Sequence, residues 1–155
     1  MDLTQLTTLR DDIVSKSNFV YEGKTFDQLL GESRHDVIAK YYNERAVPNQ
    51  NIWRTDLPVA EMICEVTMAD FIQLPQAQRE AFNIICMSGS LNMSKARLRN
   101  SIQPCLGAGT TSYNDVISVS RKKATNFEFL YTTGNVSELY GYILQPDEIV
   151  AAMRI

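Results

Sequence analysis

The chain has a single histidine, His35, a single tryptophan, Trp53, and only three cysteines in 155 residues. One imidazole excludes any metal centre built on several histidines. It leaves no Cys–His nucleophile unless the fold brings His35 to a distant thiol. Cys64, Cys86 and Cys105 are odd in number and lie 22 and 19 residues apart. They therefore offer neither a disulfide framework nor the close pairs of a zinc site, and predict reduced thiols behaving as small core hydrophobes. No apolar run approaches the roughly 18 residues that span a bilayer. The polar start MDLTQLTTLRDD lacks the apolar stretch of a signal peptide. These absences predict a protein made in the cytoplasm, with no membrane partner and no cofactor.

What is present is ordinary for a globular chain: 45% hydrophobic and 21% charged residues. The length predicts one domain over residues 1–155. Helix-start signals recur throughout. Asp2 with Gln5, Thr25 with Gln28, Thr67 with Asp70, Ser112 with Asp115 and Thr125 with Glu128 stand at capping-box spacing or close to it. Leu3, Leu6, Leu9 and Ile13 recur at helical intervals, which predicts a first helix over about 3–16 that could pack on neighbours as an arm. Ser33 is read as opening a helix through Tyr42, and Pro58 as starting one. The stretch 74–88, LPQAQREAFNIICMS, predicts the central helix: Pro75 suits its first turn, and its apolar residues from Ala81 to Met87 point all round it, the mark of burial. Pro104 is expected to end the helix after it. Residues 46–56 read as a loop pinned by Trp53. The fold class expected is all-α, a compact bundle of six to nine short helices, with at most a short extended segment near 139–144.

Candidate chemistry is sparse. Glu61 and Asp70 have the nine-residue spacing of the acid pair in phage-type lysozymes, but Gln76 stands where such enzymes carry a threonine, and 58–72 reads as unbroken helix. Exposed acids are the simpler account of both residues. Gly107–Ala108–Gly109–Thr110–Thr111 could turn backbone N–H groups to a phosphate. It has no lysine after its last glycine, so a hinge between helices is the better reading. No catalytic residue is assigned, and the chain is expected not to be an enzyme.

Charge is the informative feature. Residues 91–123 carry six Lys/Arg against one Asp/Glu inside a chain of net charge −3. Lys95, Arg97 and Arg99, on one helix, and Arg121, Lys122 and Lys123, closing the next, form the candidate interface. A sequence-specific helix–turn–helix is disfavoured, because the connection from Cys105 to Thr111 is long and the second helix is not basic where bases are contacted. An acidic neighbouring subunit is the partner that fits.

Four stretches, IWRTDLPVAEM, MSGSLNMSKARLRNSI, SRKKATNFEFLYTTG and LQPDEIVAAM, resemble in order a set of small proteins encoded by tailed bacteriophages. The resemblance runs over roughly residues 52–153. It rests on Trp53–Arg54–Thr55, Gly89 with Arg97, Lys123–Ala124–Thr125 with Glu128, and Asp147–Glu148. It implies a structural protein of the virion, at the neck (head–tail connector) or tail, made in the host cytoplasm. The implied partners are copies of itself and other virion proteins, with phage DNA close by but not read by sequence. The alternative from another class is a soluble phage-encoded binding protein that engages a host protein or nucleic acid.

Overall fold

The computed structural model describes residues 1–46 and 50–155; Pro48, in the loop expected over 46–56, lies outside them. In chain order the elements are α1 (Leu3–Ser15), β1 (Val20–Tyr21), β2 (Lys24–Thr25), α2 (Phe26–Gly31), α3 (His35–Asn43), β3 (Asn51–Trp53), β4 (Leu57–Pro58), α4 (Val59–Cys64), α5 (Met68–Gln73) and α6 (Gln76–Cys86). Then follow β5 (Ser90–Leu91), α7 (Ala96–Leu106), α8 (Thr111–Val119), β6 (Arg121–Lys123), α9 (Asn126–Leu130), β7 (Thr132–Thr133), β8 (Val136–Ser137) and α10 (Pro146–Met153). The fold is mostly helical but not all-α. Among the described residues there are ten helices, and four two-stranded pairings join β1 to β2, β3 to β6, β4 to β5 and β7 to β8. Residues 139–144 form turn and irregular chain without a strand.

The described chain gathers into two compact units. Unit 1 holds residues 1–50, 124–132 and 141–155. Helix α1 is no free arm, since Leu9 and Ile13 are fully buried and α1 packs on α10. Its Asp2–Gln5 box forms as expected, as do Thr25–Gln28 on α2 and Thr125–Glu128 on α9. Aromatic rings fill the middle: Phe26 meets Tyr41 edge-on at 5.2 Å, and Phe127 meets Tyr131 at 5.0 Å. Polar groups tie distant segments. Tyr42 donates to Asp12 at 2.5 Å, Asn43 closes two bonds with the Leu144 backbone, and the buried Glu128 carboxylate accepts from the N–H of both Thr125 and Gly141. Ser33 does not cap α3. It lies at φ 57°, in the left-handed turn that ends α2, and Arg34 precedes α3 without a side-chain cap.

Unit 2 holds residues 51–123 and 133–140. Its core joins Trp53, Leu57, Met62, Phe82, Met93, Ile102 and Val116. Helix α6 starts at Pro75 as expected, and Gly89 beyond it has φ 72°. It is not buried all round: Phe82 alone is buried, while Ile84 is 69% and Met87 85% exposed. Phe82, Ile85 and Cys86 share one stripe that packs on the core, and nothing among the described residues covers the far side. Pro104 does not end α7, which runs on to Leu106 because Ile102, Cys105 and Leu106 hold its last turns in the core. The acceptor freed by Pro104 belongs to Asn100, which is exposed and open to water. Helix α8 is capped by Thr110, not Ser112, which is fully buried.

The two faces of α6 give a direct check. Phe82→Ala costs about 3 kcal/mol through lost burial and a cavity, whereas Ile84→Ser stays within about 0.5 kcal/mol of the parent, both read from urea unfolding.

Candidate functional site

The six cations flagged in the sequence take two different roles. Arg121–Lys122–Lys123 is not the end of α8. It is strand β6, antiparallel to β3, with Trp53 opposite Arg121, Ile52 opposite Lys122 and Asn51 opposite Lys123. The indole of Trp53 carries two guanidiniums, Arg121 at 4.2 Å and Arg99 at 4.3 Å from the ring centroid. Arg99 also donates to the carbonyls of Met93 at 2.5 Å and Ser94 at 2.8 Å, which fixes the chain entering α7. It is thus half-buried rather than exposed. Burial, and then the charge of Arg121, lowers its pKa from the ordinary arginine value. The ring quadrupole offsets part of that repulsion. On the other face of β6, Lys122 stacks over Tyr140 at 4.2 Å, and Tyr140 donates to Asp56 at 2.6 Å.

Lys95, Arg97 and Lys123 are exposed, and no ion pair engages them among the described residues. Arg121 and Lys123 share one face of β6, as alternate residues of a strand do. Beside them an open groove of about 340 Å³ is lined by Asn51, Asn114, Ile117, Ser118 and Arg121. Its donors and cation suit a carboxylate or phosphate. The structure thus brings Arg99 to Arg121 through Trp53, sets Lys123 near a polar groove, and leaves Lys95 just before α7 and Arg97 on its first turn. Sequence reasoning missed the indole as their common seat; the lone tryptophan beside Arg54 was its only signal.

The acids of unit 2 are structurally engaged. Glu61 accepts from Arg54 at 2.5 Å, and this bond, with the charge of Glu61, raises the Arg54 pKa despite partial burial. Asp70 accepts from the Ser112 hydroxyl at 2.6 Å and its N–H at 3.2 Å, while Ser112 also accepts from the Thr67 N–H. Residues 65–67 break the helix expected over 58–72, so Glu61 and Asp70 lie on separate helices. In the glycine loop, Thr110 spends its hydroxyl on the carbonyls of Leu106 and Gly107 and accepts the N–H of Tyr113. Of the cysteines, Cys105 is buried and Cys86 half-buried, but Cys64 is exposed, contrary to its expected core place. Among the described residues no group of three His, Cys, Asp or Glu side chains converges, and no helix is long and apolar enough to cross a membrane.

The residues of the phage-like pattern are caps and packing contacts. Ala124 is buried, with its N–H on Gln50 and its carbonyl on Ala46, and Glu128 closes the Thr125 box. Glu148 accepts from the Gln145 N–H and the Tyr142 hydroxyl, which pushes the Tyr142 pKa up to about 12. Comparison of the chain with family models, with curated protein sequences and with solved structures finds no match.

Asp70 makes a pH prediction. The Ser112 hydroxyl, the Ser112 N–H and Thr67 hold its pKa below the ordinary 3.8. A depressed carboxylate stabilises the fold above its unfolded pKa, and that stability is lost as pH falls through the folded value. Stability measured by unfolding across the acid range therefore falls below about pH 4, and Asp70→Asn flattens part of that decline. In Ser112→Ala the Asp70 titration, followed by NMR, moves up toward the ordinary value.

Proposed function

We propose that this chain is a non-enzymatic structural protein of a tailed-phage virion, a subunit of a ring or collar at the head–tail neck or in the tail. The phage-like sequence pattern suggests the setting, and the uneven division of charge is the observation that carries the reading. Unit 1 has seven Lys/Arg against eleven Asp/Glu, and unit 2 has eight against seven. Lys95, Arg97 and Lys123, exposed and outside any ion pair among the described residues, belong to unit 2, while unit 1 exposes Arg45 and Arg154 but carries the excess of acids. A ring needs a heterologous contact, in which one face of a subunit meets a different face of the next. An acidic unit and a unit with free cations supply such a pair, and charge complementarity fixes the register of association. In this reading the cations meet acids of the neighbouring copy or of another virion protein. Any that face the phage DNA meet its phosphates without reading sequence.

A second reading has its own observation. The groove beside Arg121 presents amide and hydroxyl groups to an anionic partner, as a soluble phage-encoded protein that engages a host protein or nucleic acid would require. Mass spectrometry of purified particles separates the two. Virion membership predicts the chain at a fixed stoichiometry, and its absence from particles with abundant free protein supports the second reading. The variant Lys95→Glu, Arg97→Glu, Lys123→Glu is expected to fold and to be lost from particles. Normal incorporation of that variant removes these cations from assembly. Reversing Arg121 and Lys122 is no substitute, because those side chains also hold unit 2 together.

A further inference from the structure

We propose that the α4–α6 face of unit 2 is a two-fold interface with a second copy of this chain, distinct from the ring contact. Between α4, α5 and α6 lies an open pocket of about 210 Å³, lined by Ile63, Val66, Met68, Phe71, Phe82 and Cys86, with Asn83 the one polar side chain. Helix α5 has no buried residue. Its outer side chains stand clear beside the pocket, Met68 at 71% and Ile72 at 60% exposure, and Ile63 on α4 is exposed as well.

Two features select a second copy as the occupant. First, projecting side chains and a hole to receive them occupy the same patch, which an isologous contact requires, because each surface must serve as both knob and socket. Second, the walls carry opposite charges. Arg79 lies three residues before Phe82 and four before Asn83, on the pocket-lining stripe of α6, and Glu65 follows the end of α4. A two-fold axis laid along the groove sets the α6 wall of one copy over the α4–α5 wall of the other, so the basic side of each meets the acidic side of its mate. A partner of one strong charge would match only half of this rim.

Sedimentation velocity of the purified full-length chain across a concentration series tests this. The parent is expected to pass from monomer to dimer at micromolar concentrations. Met68→Glu and Ile72→Glu, both at exposed positions, are expected to weaken that association at least about tenfold, with circular dichroism and thermal unfolding unchanged. Ile84→Glu, on the opposite side of α6, leaves the dimer intact. A parent that stays monomeric throughout overturns the proposal, as does a dimer indifferent to Met68→Glu, and so does a monomer that uses this face only for another protein. The variant Lys95→Glu, Arg97→Glu, Lys123→Glu keeps the dimer, so failure of the virion reading and failure of the two-fold contact are read separately.

Discussion

Trp53 is the side chain on which unit 2 depends. Its indole receives Arg99 from α7 and Arg121 from β6, its backbone N–H donates to the carbonyl of Asn135 at 2.9 Å, and its ring belongs to the core. The next residue extends the junction: Arg54 donates its N–H to Ser120, accepts from the N–H of Met93, and pairs with Glu61. Two adjacent residues thus fasten β3 to β6, to the chain entering α7, to α4 and to the 133–140 segment. Each stacked cation contributes about 0.5–2 kcal/mol, the larger figure where water is excluded. The arrangement also partly buries Arg99 and holds it near a like charge, which in that order lower its pKa, and the pair would be costly without the indole and the backbone carbonyls that Arg99 reaches.

This junction divides the charge of the 91–123 segment between two tasks. Arg99, Arg121 and Lys122 are spent on aromatic rings within unit 2, while Lys95, Arg97 and Lys123 face outward. The same economy applies to the acids. Asp70 holds the start of α8 through Ser112, Glu61 balances Arg54, and Glu128 closes a helix cap from a fully buried position. Charged side chains that look like chemistry in one dimension serve here as connections between short elements. Connections of this kind suit a fold whose longest helix has 13 residues. Short helices gain little from their own hydrogen bonds and depend on tertiary contacts.

What was legible in the sequence is local. The boxes at Asp2, Thr25 and Thr125, the proline starts at Pro58 and Pro75, the left-handed glycine after α6 and the acidic first turn of α10 each depend on residues within four positions of one another. What was not legible depends on partners far along the chain. Arg121–Lys123 became a strand because Asn51–Trp53 lies beside it, a pairing that no local propensity announces. Ser112 lost its cap role to Thr110 because Asp70 claims it from 42 residues away. Pro104 was tolerated because core contacts outweighed one missing hydrogen bond, and Ile84 and Met87 point outward because the core covers only one side of α6. The candidate site was half legible: the basic residues could be named, but their sharing of one indole could not.

The division of the cations is tested most directly by comparing thermal and urea unfolding of Arg99→Ala and Arg121→Ala with Lys95→Ala and Arg97→Ala. Loss of a stacked guanidinium is expected to cost about 1–2 kcal/mol, and loss of an outward cation less than about 0.5 kcal/mol. Equal effects in the two pairs, or a larger loss at Lys95 and Arg97, would contradict the account.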